Sequence, residues 1–294
     1  TASFVICRDC GYVAKCPRCE TPLTYHEDEA LLTCHSCGFH APPPTVCPNC
    51  GSARIRFFGA GTAQLEKTLA DEFPAAHILR WDRDSTRERG SHEAILNEFV
   101  SGESNVLIGT QMIAKGLDIP RVTLVGVIAA DTALGLPDYR AGERAFQILT
   151  QVAGRAGRSW LGGRAIIQTY QPQHYAIRAA AEHHFGAFYD QELIHRRDLD
   201  YPPFKRLARV LFRNASEAKA QKEAEAAAQT IRQTIRLREL SATKIIGPAP
   251  AFFQKVNDIY RWQIIVKGSD PAAALGDLRP SSGMSIDIDP LDML

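Results

Sequence analysis

After residue 50 this chain has no cysteine at all, although eight stand within the first fifty. It also has no G-x-x-x-x-G-K-[ST] loop and no Asp-Glu-x-His after an apolar run. A nucleotide-driven motor needs the first to cradle phosphates through backbone N–H groups and the second to hold magnesium, so no complete nucleotide site is written here. No stretch approaches the roughly 20 apolar residues of a membrane helix, and no charged-then-apolar leader opens the chain. Strong charge of either sign is missing too: the net is +1, so bulk electrostatics announces no nucleic acid. What remains is 294 residues, 45% apolar and 23% charged, enough for two or three domains of a soluble globular protein. Basic residues gather only locally. Between His195 and Leu240 eleven Lys/Arg stand against six Asp/Glu, and a solvated helix face accounts for most of them.

The eight cysteines form four C-x-x-C pairs: Cys7/Cys10, Cys16/Cys19, Cys34/Cys37 and Cys47/Cys50. Three are followed directly by Gly11, Gly38 and Gly51, which suits a tight knuckle whose backbone N–H groups face the sulfurs. Four thiolates close a structural zinc site, so eight predict two zinc ions. Only five residues separate Cys10 from Cys16, cramped for two knuckles facing one ion, whereas the fourteen between Cys19 and Cys34 allow one hairpin. The spacing favours a nested arrangement, with Cys7, Cys10, Cys47 and Cys50 outside (zinc 1) and Cys16, Cys19, Cys34 and Cys37 inside (zinc 2). An interleaved, RING-like pairing is the alternative. Disulfides have no other sign of secretion to support them, and four copies argue against one catalytic dithiol. His26, His35 and His40 are read as surface residues, because the thiolates already complete both sites. Leu23, Tyr25, Leu31, Leu32 and Phe39 offer a small core, so metal binding must supply much of the folding free energy.

Two later segments carry the chemistry. Residues 105–118, NVLIGTQMIAKGLD, read as a buried strand running into a Gly/Thr-rich loop. Gln151-Val-Ala-Gly-Arg-Ala-Gly-Arg158 projects a glutamine and two arginines from one side of a helical turn. A planar, permanently charged guanidinium suits a phosphoryl-transfer transition state, whose negative charge spreads over oxygens. Taken singly, Arg155 and Arg158 read equally as solvated helix charges and Gly109-Thr110 as an ordinary turn; the two motifs in this order carry more weight.

The remaining pattern is α/β. Strands are predicted at Ile55–Phe58, Ile78–Trp81, Val106–Gly109, Val122–Ala129 and Arg164–Gln168, with helices at Ala63–Phe73 (N-cap Thr62), Glu93–Val100 and Tyr139–Gly154. The apolar run from Val122 reads as a parallel strand buried on both faces. Alternating strands and helices predict a RecA-like parallel sheet, with Asp82, Thr110 and Asp131 at the crevice beyond its carboxyl ends, although Asp131 reads equally as a helix cap. A helical stretch from His174 to Leu199 leads to Tyr201-Pro-Pro-Phe204, where a last domain opens. There the order is a strand at Arg206–Phe212, a helix at Glu217–Glu239 capped by Ser216, strands at Ile245–Ile246 and Arg261–Val266, a helix at Pro271–Leu278 and a strand at Met284–Ile288. That is a ferredoxin-like βαββαβ layer, expected to leave one sheet face free for a partner.

The two later segments resemble motifs V and VI of the second motor lobe of superfamily 2 helicases. With the Cys-Arg-Asp-Cys-Gly, Cys-Pro-Arg-Cys and Cys-Pro-Asn-Cys-Gly knuckles, Asp82-Arg-Asp84, Tyr201-Pro-Pro-Phe204 and Asp287-Ile-Asp-Pro290, the chain from about Val5 to Pro290 resembles the PriA family of bacterial replication-restart helicases, also called primosomal protein N′. The resemblance implies the C-terminal portion of an ATP-dependent 3′→5′ DNA helicase that restarts stalled forks and assembles the primosome. It implies the start of lobe two at residues 1–5, a two-zinc module at 6–53, the rest of the RecA-like lobe at 54–198 and an α+β domain at 199–294. By the family pattern, Thr110 and Gln111 meet DNA phosphates; Lys115, Gly116, Asp118 and Gln151 line the nucleotide; Arg155 and Arg158 act as catalytic fingers. ATP and Mg2+ belong to the full-length protein. Branched DNA (stalled forks and D-loops), primosome proteins and the tail of single-strand DNA-binding protein are the implied partners, with Arg261, Trp262 and Gln263 the nearest patch for that tail. A monomeric, cytoplasmic, nucleoid-associated protein with no membrane partner is implied. The chain opens on Thr1 and lacks the family's fork-binding domain, winged helix and P-loop lobe, so alone it is expected to hydrolyse no ATP.

Two other readings compete. A zinc-ribbon nucleic-acid or protein-binding module on a non-catalytic RecA-like scaffold would be indifferent to Arg155→Ala. A different superfamily 2 motor, such as a repair translocase with an unrelated zinc insertion, would share the fingers and not the partners.

Overall fold

The computed structural model describes residues 3–17, 22–26, 30–34, 38–58, 62–81, 91–110, 113, 119, 121–156 and 162–293. The chain divides into two compact units, one of Thr1–Phe58, Asp131–Glu143 and Gly186–Leu294, the other of Gly59–Ala130 and Arg144–Phe185.

In the first unit the cysteine-rich segment is built on short strands: β1 (Ser3–Cys7), β2 (Thr24–His26), β3 (Leu31–Thr33), β4 (His40–Ala41) and β5 (Ile55–Phe58). They form one antiparallel sheet in the order β4-β3-β2-β1-β5. β1 and β5, on either side of the cysteine-rich segment, pair from Phe4↔Phe58 to Cys7↔Ile55. Val5, Leu23, Leu32 and Ile55 are buried among Cys7, Cys16, Cys34 and Cys47, with Tyr25 and Phe39 packed against them. The core is larger than the sequence pattern indicated, since β1 and β5 add Val5 and Ile55 to it.

The last domain contains β10 (Arg206–Asn214), a long helix (Glu217–Leu237), β11 (Lys244–Val256), β12 (Ile259–Gly268), a short helix (Pro271–Ala274) and β13 (Met284–Ile288). The sheet order β11-β12-β10-β13, antiparallel throughout, is that of the ferredoxin-like fold. Side chains alternate across each strand. Ala208, Val210 and Phe212 of β10, with Ile264 and Val266 of β12, meet Ala224, Ala228 and Ile231 of the long helix. Ser216 sits at the N-cap of that helix but makes no capping hydrogen bond from its side chain.

The opposite sheet face is not free, contrary to expectation. Leu207 and Ile265 are buried beneath Met293, with Tyr139, Tyr201 and Ile246 packed against them. Arg209, on the same face, donates from Nε to Oε1 of Gln263 at 2.9 Å. The apolar and amphipathic residues that flank the domain in sequence fold back to cover this face, because a bare one would leave Leu207 and Ile265 in water. An ionic cluster fixes the same region. Arg196 joins Glu143 and Glu192, each at 2.7 Å, and Arg140 holds Glu143 from the other side at 2.7 Å.

In the second unit, β6 (Ile78–Trp81) runs parallel to β7 (Val106–Gly109), and β8 (Leu124–Val127) parallel to β9 (Arg164–Ile167). Among the described residues these are two separate strand pairs. The helices of this unit are α1 (Thr62–Glu72), α2 (Ser91–Ser101) and α5 (Tyr175–Ala181), together with α4 (Ala141–Ala156) from Arg144 onward. The segment between β8 and α4 holds α3 (Asp131–Leu134), and α6 (Phe185–Asp198) follows α5. β8 departs from its sequence reading. Instead of being buried on both faces it leaves Leu124 60% exposed, because β9 is its only strand neighbour among the described residues. The helical stretch from residue 174 is two helices rather than one, parted where His183 takes a left-handed φ of 52°.

Candidate metal centre and motor lobe

The outer cysteines are brought together. One sulfur each from Cys7, Cys10, Cys47 and Cys50 lies within 4.8 Å of all the others. Across the site, Cys7 Sγ is 3.7 Å from Cys50 Sγ and Cys10 Sγ is 3.6 Å from Cys47 Sγ. These separations are too long for disulfides, whose sulfurs stand about 2 Å apart. Four sulfurs arranged tetrahedrally at about 2.3 Å from a zinc ion stand roughly 3.8 Å from one another. The site therefore fits zinc as it stands, in the nested pairing.

Local backbone geometry explains the fit. In each outer knuckle the glycine N–H closes the turn on the first cysteine's carbonyl, Gly11 to Cys7 at 3.0 Å and Gly51 to Cys47 at 2.9 Å. Both glycines have φ near +72°, where a side chain would be strained. Gly38 repeats the turn on Cys34. Cys10 is drawn down to about 6, first by the Asn49 amide, which donates to its sulfur at 3.5 Å, and then by the Tyr12 N–H. At Cys50 the Ser52 N–H pulls the same way, but Cys10, burial, Cys47 and Cys7 outweigh it and push that thiol up to about 12. Four thiols this close cannot all ionise unless a cation sits among them.

Of the inner set, Cys16 and Cys34 are buried, while Cys19 and Cys37 lie outside the described residues. His40 is exposed and pairs through Nδ1 with Thr33 Oγ1 at 3.1 Å.

In the second unit, β7 ends at Gly109, and Thr110 stands exposed just beyond it. Gly109 has no room for a side chain: a Cβ there would lie 2.4 Å from the Trp81 carbonyl oxygen. Gln151 is exposed on α4, and Arg155 follows four residues later on the same helix, a spacing that places both on one face. Gln111, Lys115, Gly116, Asp118, Arg158 and Asp82 lie outside the described residues, as does the side chain of Arg155. Asp131 is buried as the first residue of α3, and its carbonyl accepts from Gly135 at 2.8 Å. The patch at Arg261, Trp262 and Gln263 does not hold together. Adjacent residues of β12 point to opposite faces, so Trp262 packs on the helix side while Arg261 and Gln263 face away, and Gln263 is 2% exposed.

Residues 16–42 match the PriA DNA helicase Cys-rich region domain, 53–159 the helicase conserved C-terminal domain and 197–291 the primosomal protein N C-terminal domain. The chain is 47% identical to the replication restart protein PriA of Bacillus subtilis over 90% of its own length and 32% of that relative's. The corresponding Synechocystis protein is 42% identical over 99% of this chain and 36% of the relative, and that of Haemophilus influenzae 38% identical over 90% and 36%. The chain belongs to the PriA family. It spans about a third of the length of these relatives and corresponds to their C-terminal portion. The PriA Cys-rich match takes in only the inner four cysteines, yet the outer four are those whose sulfurs the structure gathers. Sequence reasoning missed Asp9, Asn49, Ser52 and Arg54, which surround the outer site. The available signal was a polar residue at the same place in both outer knuckles, Cys-Arg-Asp-Cys and Cys-Pro-Asn-Cys.

Proposed function

We propose that this chain is the zinc-bearing second lobe and C-terminal domain of an ATP-driven 3′→5′ DNA helicase that restarts stalled replication forks and assembles the primosome. The carrying observation is the succession, in one chain, of a four-sulfur cluster, a helicase C-terminal match and a primosomal protein N C-terminal match. The zinc module occupies residues 6–53, the RecA-like lobe 54–198 with residues 1–5 as its start, and the C-terminal domain 199–294. Cys7, Cys10, Cys47 and Cys50 hold one zinc; Cys16, Cys19, Cys34 and Cys37 hold the other. Zinc supplies structure here, fixing chain segments that share a modest core.

Arg155 and Arg158 close on the triphosphate of a nucleotide held mainly by the other lobe, with Gln151, Lys115, Gly116 and Asp118 beside it. Thr110 and Gln111 meet the backbone of the tracked strand. The exposed position of Thr110 beyond β7 supports that role, as does the helical spacing of Gln151 and Arg155. With no P-loop the chain alone hydrolyses no ATP. Branched DNA, single-strand DNA-binding protein and primosome proteins are the partners, and a bacterial cytoplasmic monomer is the working form. The helicase match over residues 53–159 speaks against a non-catalytic scaffold.

Fork-stimulated ATP hydrolysis by the full-length protein tests the reading. Arg155→Ala is expected to lower turnover by about 10³-fold or more. Unchanged turnover would reduce the lobe to a scaffold.

A further inference from the structure

Cys10 and Cys47, of the two outer knuckles, lie 37 positions apart in the chain and meet only in the folded protein. Each has two residues between its cysteines, and in each the second is polar: Asp9 in the first, Asn49 in the second. Both side chains cross to the opposite knuckle. Asp9 Oδ2 accepts from the Ser52 hydroxyl at 2.5 Å and Oδ1 from Arg54 Nη1 at 2.6 Å, two and four residues beyond Cys50. The Arg54 N–H in turn donates to Ser52 Oγ at 2.9 Å, which fixes the hydroxyl that Asp9 grips. In the other direction, Asn49 Nδ2 donates to Cys10 Sγ at 3.5 Å.

We propose that Asp9 and Asn49 form a reciprocal brace, positioning residues that hold the outer thiolate site closed on its ion. The proposal rests on the reading of Cys7, Cys10, Cys47 and Cys50 as zinc ligands. Cys10 and Cys50 are exposed, so water and competing ligands reach the site whenever the two knuckles part. The brace lies on that opening coordinate. Its contacts are solvent-facing, with the Arg54 side chain 69% exposed, so they add little to overall stability. Their effect falls on metal retention, where partners of ligand atoms typically matter by about 10–100-fold. The two ends differ in chemistry. Asn49 offers an N–H to an anionic sulfur, whereas Asp9 offers oxygens to a hydroxyl and a guanidinium.

The test uses the full chain loaded with zinc and follows transfer of the metal to a chromogenic chelator. For Asn49→Ala and for Asp9→Ala, zinc content stays at two per chain at saturating metal. One of the two ions leaves about 10–100-fold faster and the other at its original rate. Asn49→Asp, which sets a carboxylate against the thiolate, is expected to release faster than Asn49→Ala. Asp9→Asn keeps an acceptor for Ser52 and falls between Asp9→Ala and the parent. Cobalt-loaded Asn49→Ala keeps the absorption of four-thiolate coordination. Release unchanged in both alanine variants, both ions accelerating together, or a three-thiolate cobalt spectrum would each overturn the brace. Failure of the underlying zinc assignment looks different: the unsubstituted chain would hold fewer than two zincs, or Cys47→Ser would still hold both.

Discussion

Replacing Glu143 by glutamine tests how the first turn of α4 is tied to Arg140 and Arg196. Glu143 accepts from Arg140 through Nε and Nη2, at 3.1 and 2.7 Å, and from Arg196 Nη2 at 2.7 Å. Arg196 also lies over the ring of Tyr139, which stacks on Tyr201, whose other neighbour is the Lys267 ammonium. The Arg140 hydrogen bonds, reinforced by Arg196 against the cost of burial, lower the Glu143 carboxyl from 4.5 to about 2. At ~1.4 kcal/mol per pH unit, that corresponds to about 3 kcal/mol of stabilisation in the ionised state. Glutamine keeps the shape and one acceptor, and Arg196 keeps Glu192, so the expected loss at pH 7 is about 2 kcal/mol. For a unit of this size the melting midpoint should fall by roughly 4–8 °C.

The pH dependence has a definite sign. The folded-state value lies below the ordinary one, so the stabilisation is complete above about pH 4.5 and fades as the pH falls toward 2. By pH 3.5 about 1.4 kcal/mol of that stabilisation is lost, so roughly two-thirds of the parent's ~2 kcal/mol advantage over the variant should be gone. Calorimetry of both proteins at pH 7, 5 and 3.5 reads this difference, and acid-driven zinc loss is common to the two. An unchanged midpoint at pH 7, or a gap as wide at pH 3.5 as at pH 7, would refute the reasoning.

Two core substitutions follow from close packing. Gly109→Ala would place a Cβ 2.4 Å from the Trp81 carbonyl and 2.9 Å from the Ile113 side chain. β6 and β7 must then part, at about 1–3 kcal/mol, which amide exchange of those strands would register as lost protection. Phe212→Ala empties the fully buried position between β10 and the long helix. It should cost about 3–5 kcal/mol in urea titration.

The parts of this fold that were legible in the sequence are those with sharp punctuation. Ile78–Trp81, Val106–Gly109 and Met284–Ile288 were read to the residue, bounded by His77 and Asp82, by Asn105 and Thr110, and by Gly283 and Asp289. The short loop between Cys10 and Cys16 favoured a nested over an adjacent pairing but left the interleaved one open, and the structure gathers Cys7, Cys10, Cys47 and Cys50, the outer set of the nested arrangement. β11 was read as two residues and is thirteen long. Gly247, Pro248 and Pro250 lie within the strand, where register shifts after Ile246 and Pro250 absorb them. The covering of the second sheet face was not legible, because it joins Tyr139, Tyr201 and Met293 from three distant places in the chain. Trp262 read equally as strand packing, and strand alternation sets it on the helix side, apart from Arg261 and Gln263. No composition signal ties Asp9 to Ser52 and Arg54, forty-odd residues away.

The two prolines of β11 have one more consequence. β11 is the outermost strand of its sheet, and a long outer strand offers a ladder onto which a neighbouring molecule's backbone can zip. Pro248 and Pro250 contribute no N–H to such a ladder, and the two register shifts beside them break its spacing. The opposite border, β13, is only five residues long and carries exposed Asp287. Both borders of this sheet are thus poor templates for edge-to-edge pairing with a second copy of the chain.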